Sequence, residues 1–282
     1  MSRQDTKLFI NFKKTFIYVV CILLAFLSII PFWITLVNAT RSSTAIQQGI
    51  SLIPSTFLKS NWGTLTGKGF DVVRGFTNSA IIAFGSTLLS VYFSTLTAYG
   101  LTTYEFKGKN IIFSLIMGII MIPAQLSLVG FYQFILKLGL TNSHIPLILP
   151  AIAAPATVFF MRQYLIANMP HEIIESARID GAGEFYIFNT MAIPIMKPAI
   201  ATMAIFGVVG SWNNFITPLT LLTDSKKYTL PLMVQMLKGD IYKTEYGGIY
   251  LGISLTILPL LVVYFLLSKH IISGVAMGGV KE

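Results

Sequence analysis

Glu175-Ser-Ala-Arg-Ile-Asp-Gly-Ala-Gly-Glu-Phe-Tyr-Ile-Phe-Asn-Thr-Met-Ala-Ile-Pro194 is a charged island between two long apolar stretches. Its polarity places it outside a bilayer. Pro170 just upstream opens a helix, because a first-turn N–H has no partner to lose, and Glu172 and Glu175 then put negative charge at the helix's positive end. Gly181 or Gly183 ends that helix, since glycine accepts the positive φ a helix terminus often needs. Glu184 begins a second short helix, which ends at Pro194. The pattern is helix, tight turn, helix, with Ile173, Ile174 and Ala177 on one face and Glu175, Arg178 and Asp180 elsewhere. Such a piece suits a membrane surface or a docked partner.

Outside that island the chain is built for lipid: 54% of its residues are hydrophobic and 11% are charged, against roughly 25% charged in an average soluble domain. A spanning helix needs about 20 apolar residues. Charge-free runs of that order lie at 15–40, 75–104, 110–136, 138–161, 198–223 and 246–268. The fourth is short, because Leu138–Ile145 reads as a turn and only about Pro146–Met161 is continuously apolar. The first run is too long for a signal-peptide core and no small-residue cleavage site follows it, so it reads as a retained helix.

Six spans put both termini on one side. Arg3, Lys7, Lys13 and Lys14 before the first span make that side cytoplasmic, as do Lys107 and Lys109 in the tight turn after the second. The fold class is therefore all-α integral membrane, six transmembrane helices with a cytoplasmic helix-turn-helix loop between the fourth and fifth. It forms one domain over 1–282: a tail over 1–14, a bundle over 15–270 and a C-terminal tail over 271–282. The net charge of +9 is scattered over short loops, which fits anionic lipid and membrane orientation rather than nucleic acid. Cys21, the one cysteine, reads as a small core residue.

Glu175, Ala177, Gly181 and Pro194 fall at the spacing of the EAA loop, Glu-Ala-Ala, three residues, Gly, nine residues, Ile-x-Leu-Pro, with Ser176, Met191 and Ile193 as apolar or size-matched departures. The chain thus resembles the membrane subunits of bacterial ABC importers. Leu52-Ile-Pro54, Asn61-Trp62, Asn78-Ser79, Leu138-Gly-Leu-Thr-Asn142, Arg162-Gln-Tyr-Leu165 and the Trp-Asn-x-Phe of Trp212 to Phe215 narrow the likeness to the carbohydrate, maltose-type class. The resemblance implies that Glu175, Ser176, Ala177, Asp180, Gly181, Ala182, Gly183 and Pro194 seat in a cytoplasmic ATPase subunit. It also implies a tail contact to the ATPases through Gly278, Gly279, Val280 and Lys281, with the glycine pair allowing an extended backbone. By the same likeness, the loop near Met236–Tyr246 reaches into a substrate-binding protein. The implied partners are a second homologous permease subunit, two ATPase subunits, an extracytoplasmic solute-binding protein, a sugar and membrane lipid. The implied location is the bacterial inner membrane.

Polar groups within the spans point to a path. Gln125 needs a partner at bilayer depth, and Trp212, Asn213, Asn214 and Phe215 combine amides with aromatic faces of the kind that hold sugars. The bland alternative is that the asparagines bridge helices and Trp212 packs. Gly247, Gly248 and Gly252 read as sites of close helix approach.

No stretch has the Gly-x4-Gly-Lys-Ser/Thr spacing that cradles phosphate, so ATP and its magnesium belong to partner subunits and this chain carries no cofactor and no catalytic or metal site. His144, His171 and His270 lack ligand spacing. An ion-coupled carrier acting without ATPases is the alternative, and it predicts ionisable groups inside the spans or an inverted repeat. Neither is present in the runs above.

Overall fold

In hydrocarbon no water is available to backbone N–H and C=O groups, so an apolar run of spanning length folds as a helix. The computed structural model describes residues 3–67, 69–237 and 245–279, and among them every regular element is helical. In chain order these are α1 (Arg3–Asn38), α2 (Ser43–Gln48), α3 (Leu58–Gly67), α4 (Val72–Thr103), α5 (Lys109–Ile120), α6 (Leu128–Lys137) and α7 (Ile145–Ile148). They continue as α8 (Pro155–Asn168), α9 (His171–Ile179), α10 (Glu184–Ile187), α11 (Ile193–Asn213), α12 (Ile216–Leu221), α13 (Leu230–Leu237) and α14 (Tyr246–Gly279).

Five stretches are long and apolar enough to cross a membrane: 13–38, 72–103, 145–168, 184–213 and 246–264. A sixth is a broken pair, 109–120 and 125–137, meeting at 88°. Pro123, whose ring and missing N–H interrupt a helix, sits at that break. Four expectations change. The third span is bent rather than straight. The fourth runs past Met161 to Asn168, because Arg162 is tolerated by lying over the Phe113 ring, 4.0 Å from its centroid. The fifth begins at Glu184 and ends at Asn213, instead of covering 198–223. The last continues helically through Gly278 and Gly279 rather than becoming extended. The first helix also starts earlier than expected, at Arg3, so the basic tail belongs to it. Cys21 is exposed on α1 and not in a core.

Contacts group the residues into two compact units. The first comprises 1–70 and 237–257, hence α1 to α3 and the start of α14. In it the Asn61 side-chain amide donates to the carbonyls of Ala39 at 2.8 Å and Arg41 at 2.9 Å, tying α3 to the end of α1. Gly247 of α14 lies against that amide, and Gly248 faces the Thr64 methyl, the close approach its sequence suggested.

The second unit comprises 71–236 and 258–282. Its core is formed where α4, α8, α9 and α11 meet, around Tyr99, Met161, Leu165, Ile174, Phe188 and Met196, all buried. That core sits at one end of the spans, directly under α9.

Alanine in place of glycine within a helix normally stabilises by about 1 kcal/mol. At Gly247 the sign should reverse, because the new Cβ would fall 2.4 Å from Asn61 Oδ1 and push the amide off two carbonyls, at a cost of about 1–3 kcal/mol. The Gly247→Ala protein should therefore show a lower thermal midpoint in detergent, read by size-exclusion fluorescence after heating.

Candidate functional site

The charged loop is held from its first residue to its last. Pro170 is extended and caps α9, with Glu172 in the first turn and Arg178 in the last, each opposing the local end of the helix dipole. Ile174 and Ala177 are buried in the core. Ile173 is not, being 40% exposed, so the apolar face is narrower than the sequence suggested. Glu175, Ser176, Arg178 and Asp180 are exposed.

Gly181 ends α9, with φ at +81°. Its N–H donates to the Arg178 carbonyl, and the Ala182 N–H reaches back to the Ala177 carbonyl, both at 3.0 Å. This pair of bonds is a Schellman closure, with Ala182 packing on the same core that holds Ala177. Gly183 has an extended backbone and precedes α10. Of the two glycines, the one that needs its missing side chain for the turn is Gly181.

Glu184 then fastens the loop to the end of α4. One carboxylate oxygen accepts from Arg178 Nε at 2.6 Å; the other accepts from the Tyr104 hydroxyl at 2.6 Å and the Tyr99 hydroxyl at 3.2 Å. The Arg178 guanidinium also lies over the Tyr104 ring, 5.3 Å from its centroid. Burial, reinforced by the Glu184 carboxylate, raises the Tyr104 hydroxyl above its ordinary value, so it stays protonated and donating. The sequence reading placed Glu184 only as a helix start. Its partners lie far off in the chain, and no local pattern reveals them.

The second helix does not stop at Pro194. Residues 188–192 form a wide turn in which the Ile193 N–H reaches Phe188, and the helix continues to Asn213. The wide turn accommodates the missing Pro194 N–H. Asn189 Nδ2 and Thr190 Oγ1 donate to the carbonyls of Phe185 and Tyr186, both at 2.7 Å. Beside the charges, three large apolar side chains point outward: Ile179 is 86% exposed, Phe185 70% and Tyr186 60%.

The proposed path residues do not converge. Trp212 is buried and meets the Phe76 ring edge-on at 5.5 Å, beside a wholly apolar cavity of about 350 Å³ lined also by Phe84 and Val208. Gln125 is exposed at the bend of the third span and Phe215 is half-buried. Asn213 is exposed at the last position of α11. Asn214 lies just past it and caps α12, its amide bonded to the Thr217 N–H and hydroxyl. Asn214 does line a cavity of about 640 Å³, with Ser79, Ser211, Thr217 and Thr229 among apolar side chains from α5 to α8 and α12. Thr229 is buried there, and its hydroxyl has no protein partner.

Gly278 and Gly279 are helical. Val280 and Lys281 lie outside the described residues, as does 238–244 of the loop expected to meet a binding protein.

The family model described as binding-protein-dependent transport system inner membrane component matches residues 90–276. The chain is 36% identical over 261 residues to the arabinooligosaccharides transport system permease protein AraQ of Halalkalibacterium halodurans, covering 92% of this chain and 93% of that one. It is 29% identical over 273 residues to the trehalose/maltose transport system permease protein MalG of Thermococcus litoralis, covering 95% and 97%. Among solved structures, a chain from the crystal structure of a bacterial ABC transporter involved in the import of the acidic polysaccharide alginate superimposes with a TM-score of 0.78 at 20% identity, over 95% of this chain and 98% of that one. The fold is shared.

If Glu184 joins the loop to α4 as one unit, the effects of Arg178→Met and Tyr104→Phe should not add. A double-mutant cycle on thermal stability should give a coupling of about 0.5–1 kcal/mol, small because the groups are partly exposed. Strict additivity would show that the carboxylate does not link them.

Proposed function

This chain belongs to the family of binding-protein-dependent transport system inner membrane components, and on that premise we propose that it forms half the translocation path of an ATP-driven importer for a sugar or oligosaccharide. It works with a homologous permease subunit, two ATPase subunits that bind ATP and magnesium, and an extracytoplasmic binding protein. Both termini and the 175–194 loop face the cytoplasm of a bacterial cell.

The observation that carries this reading is mechanical: one helical segment of 30 residues, Glu184–Asn213, joins the charged loop to the cavity. At 1.5 Å per residue it is a rod of about 45 Å. Its near end carries Phe185 and Tyr186 beside exposed Ile179, Glu175 and Asp180, an apolar patch with a charged rim suited to a protein partner. Its far end carries Ser211 and leads to Asn214 at the cavity wall.

ATP-driven approach of the ATPase subunits would push this patch. The Schellman turn and the Glu184 contacts prevent the loop from yielding alone, so the displacement passes into α11 and tilts it against its neighbours. Rocking of that kind changes the side to which a cavity opens. The cavity hydroxyls and the Asn214 amide suit the many hydroxyls of a sugar, with apolar side chains to pack on its C–H faces.

Two variants test the two ends. Valine at position 181 would be held at a positive φ that costs an L-residue about 1–2 kcal/mol, so Gly181→Val should distort the turn. Uptake in proteoliposomes should fall roughly tenfold or more, while the chain still inserts and the ATPases still hydrolyse ATP; normal uptake would refute the coupling role. At the other end, Thr229→Val keeps shape and removes a buried hydroxyl without a partner. Thermal stability should hold or rise by up to about 1 kcal/mol, yet the sugar concentration giving half-maximal uptake should increase. An unchanged concentration dependence would take Thr229 off the path.

A further inference from the structure

The chain beyond α1 turns back beside the helix it has just left. Trp33 lies about 7.5 Å short of the end of α1 at Asn38, at 1.5 Å rise per residue. Its indole N–H donates to the Leu52 carbonyl at 3.0 Å. The loop between α2 and α3 therefore descends to a level inside the first membrane-spanning segment, 13–38.

At that level the loop presents aliphatic side chains outward: Ile50 is 81% exposed, Ile53 76% and Leu52 56%. The neighbouring surface of α1 is exposed and apolar from Thr15 to Trp33, the surface of a lipid-facing helix. From Ser42 to Leu58 there is no charged side chain, so nothing in the loop offers charge complementarity to a protein. Trp33 and Trp62, both near half exposed, are the residue type that collects at the headgroup level.

Non-helical backbone that enters the edge of a bilayer must satisfy its own polar groups. Here it does. The Ile53 N–H donates to Ser51 Oγ, and that hydroxyl donates to the Ile53 carbonyl. The Leu52 carbonyl is taken by Trp33, Pro54 has no N–H to satisfy, and the Ser55 N–H donates to Thr40 Oγ1 at 2.8 Å. Arg41 fixes the other root of the loop by donating to Asn38 Oδ1 and to the carbonyls of Ala45 and Gly49.

We propose that the Ile50–Ile53 tip is a lipid anchor, inserted at the boundary of headgroups and acyl chains in the leaflet that α1 reaches at Asn38. The anchor uses none of the residues assigned above to the path or to the ATPase surface, and it sets the depth at which the first span sits. The depth inferred from Trp33 matches the roughly 5–10 Å to which interfacial apolar faces are buried.

The test uses the full chain in its assembled importer, reconstituted into vesicles of phosphatidylethanolamine and phosphatidylglycerol. Cys21→Ser removes the exposed native thiol, and Ile53→Cys carries an environment-sensitive nitrobenzoxadiazole label, with Ile50→Cys as the second reporter. Blue-shifted emission, quenched more by lipids bearing a doxyl group near the headgroup than by lipids bearing it near the chain end, is the expected result. It should persist when the binding protein is added. Water-like emission without quenching would put the tip in solvent. Blue-shifted emission that neither lipid quenches would put it under a protein partner. Either outcome overturns the anchor, and sugar uptake by the labelled complex reports the transport reading separately.

Discussion

A backbone N–H or carbonyl left unpaired in hydrocarbon costs several kcal/mol, and that cost determines where this chain can interrupt its helices. The long spans pay nothing. At several of the breaks, by contrast, an asparagine side chain takes over freed backbone groups. In the first unit Asn61 donates to two carbonyls at the end of α1. In the second, Asn78 donates to the carbonyls of Lys226 and Tyr228, while Ser79 accepts from the Leu230 N–H. Asn142, held at φ 56°, donates its N–H to Leu221 and accepts the N–H groups of Thr223 and Asp224 on Oδ1. A carboxamide offers two donors and an acceptor without charge, which is why it can replace a helical turn where a carboxylate or ammonium would add a desolvation cost.

The same constraint explains the stiffness of the loop at the other end. Pro194 removes one backbone donor just inside a span, and a sharp kink there would uncouple the loop from α11. The wide turn at 188–192 spreads the defect over several residues, and Asn189 and Thr190 supply donors to the carbonyls behind it. The helix remains continuous from Glu184 to Asn213. Glu184, placed ahead of that turn, contacts Arg178 of α9, Tyr99 of α4 and Tyr104 just past it, so the loop is tied to α4 as well as to α11.

Much of this was legible in the chain itself. Six apolar runs anticipate the five spans and the bent pair, and Pro170, Glu172 and Gly181 anticipate the helix and turn of the loop, because both features are written in local sequence. The ends of the spans were less legible. Counting apolar residues carries the fifth span to Thr223, although α11 ends at Asn213 and the Asn214 side chain turns to Thr217 of α12. Conversely, Arg162 looked like an end and is not, since Phe113 from another helix shelters it. Glu184 escapes a sequence reading for the same reason: its contacts are to tyrosines 80 and 85 residues earlier, two spans away.

The position of the α11 end changes what its polar residues mean. Deep in a bilayer, Asn213 and Asn214 would each demand a permanent partner, and a permanent partner makes a structural bridge. At a helix end they need only a cap, and Asn214 takes one from Thr217 while remaining on the cavity wall. Ser211 shares a hydrogen bond with the Ser86 hydroxyl at 3.0 Å. A transport site works only if it releases what it holds, so weak and exchangeable hydrogen bonds suit it better than saturated ones. Trp212 differs: buried against Phe76, it gains from packing beside an apolar cavity. The boundary at Asn213 thus divides a side chain packed inside the bundle from one on the cavity wall.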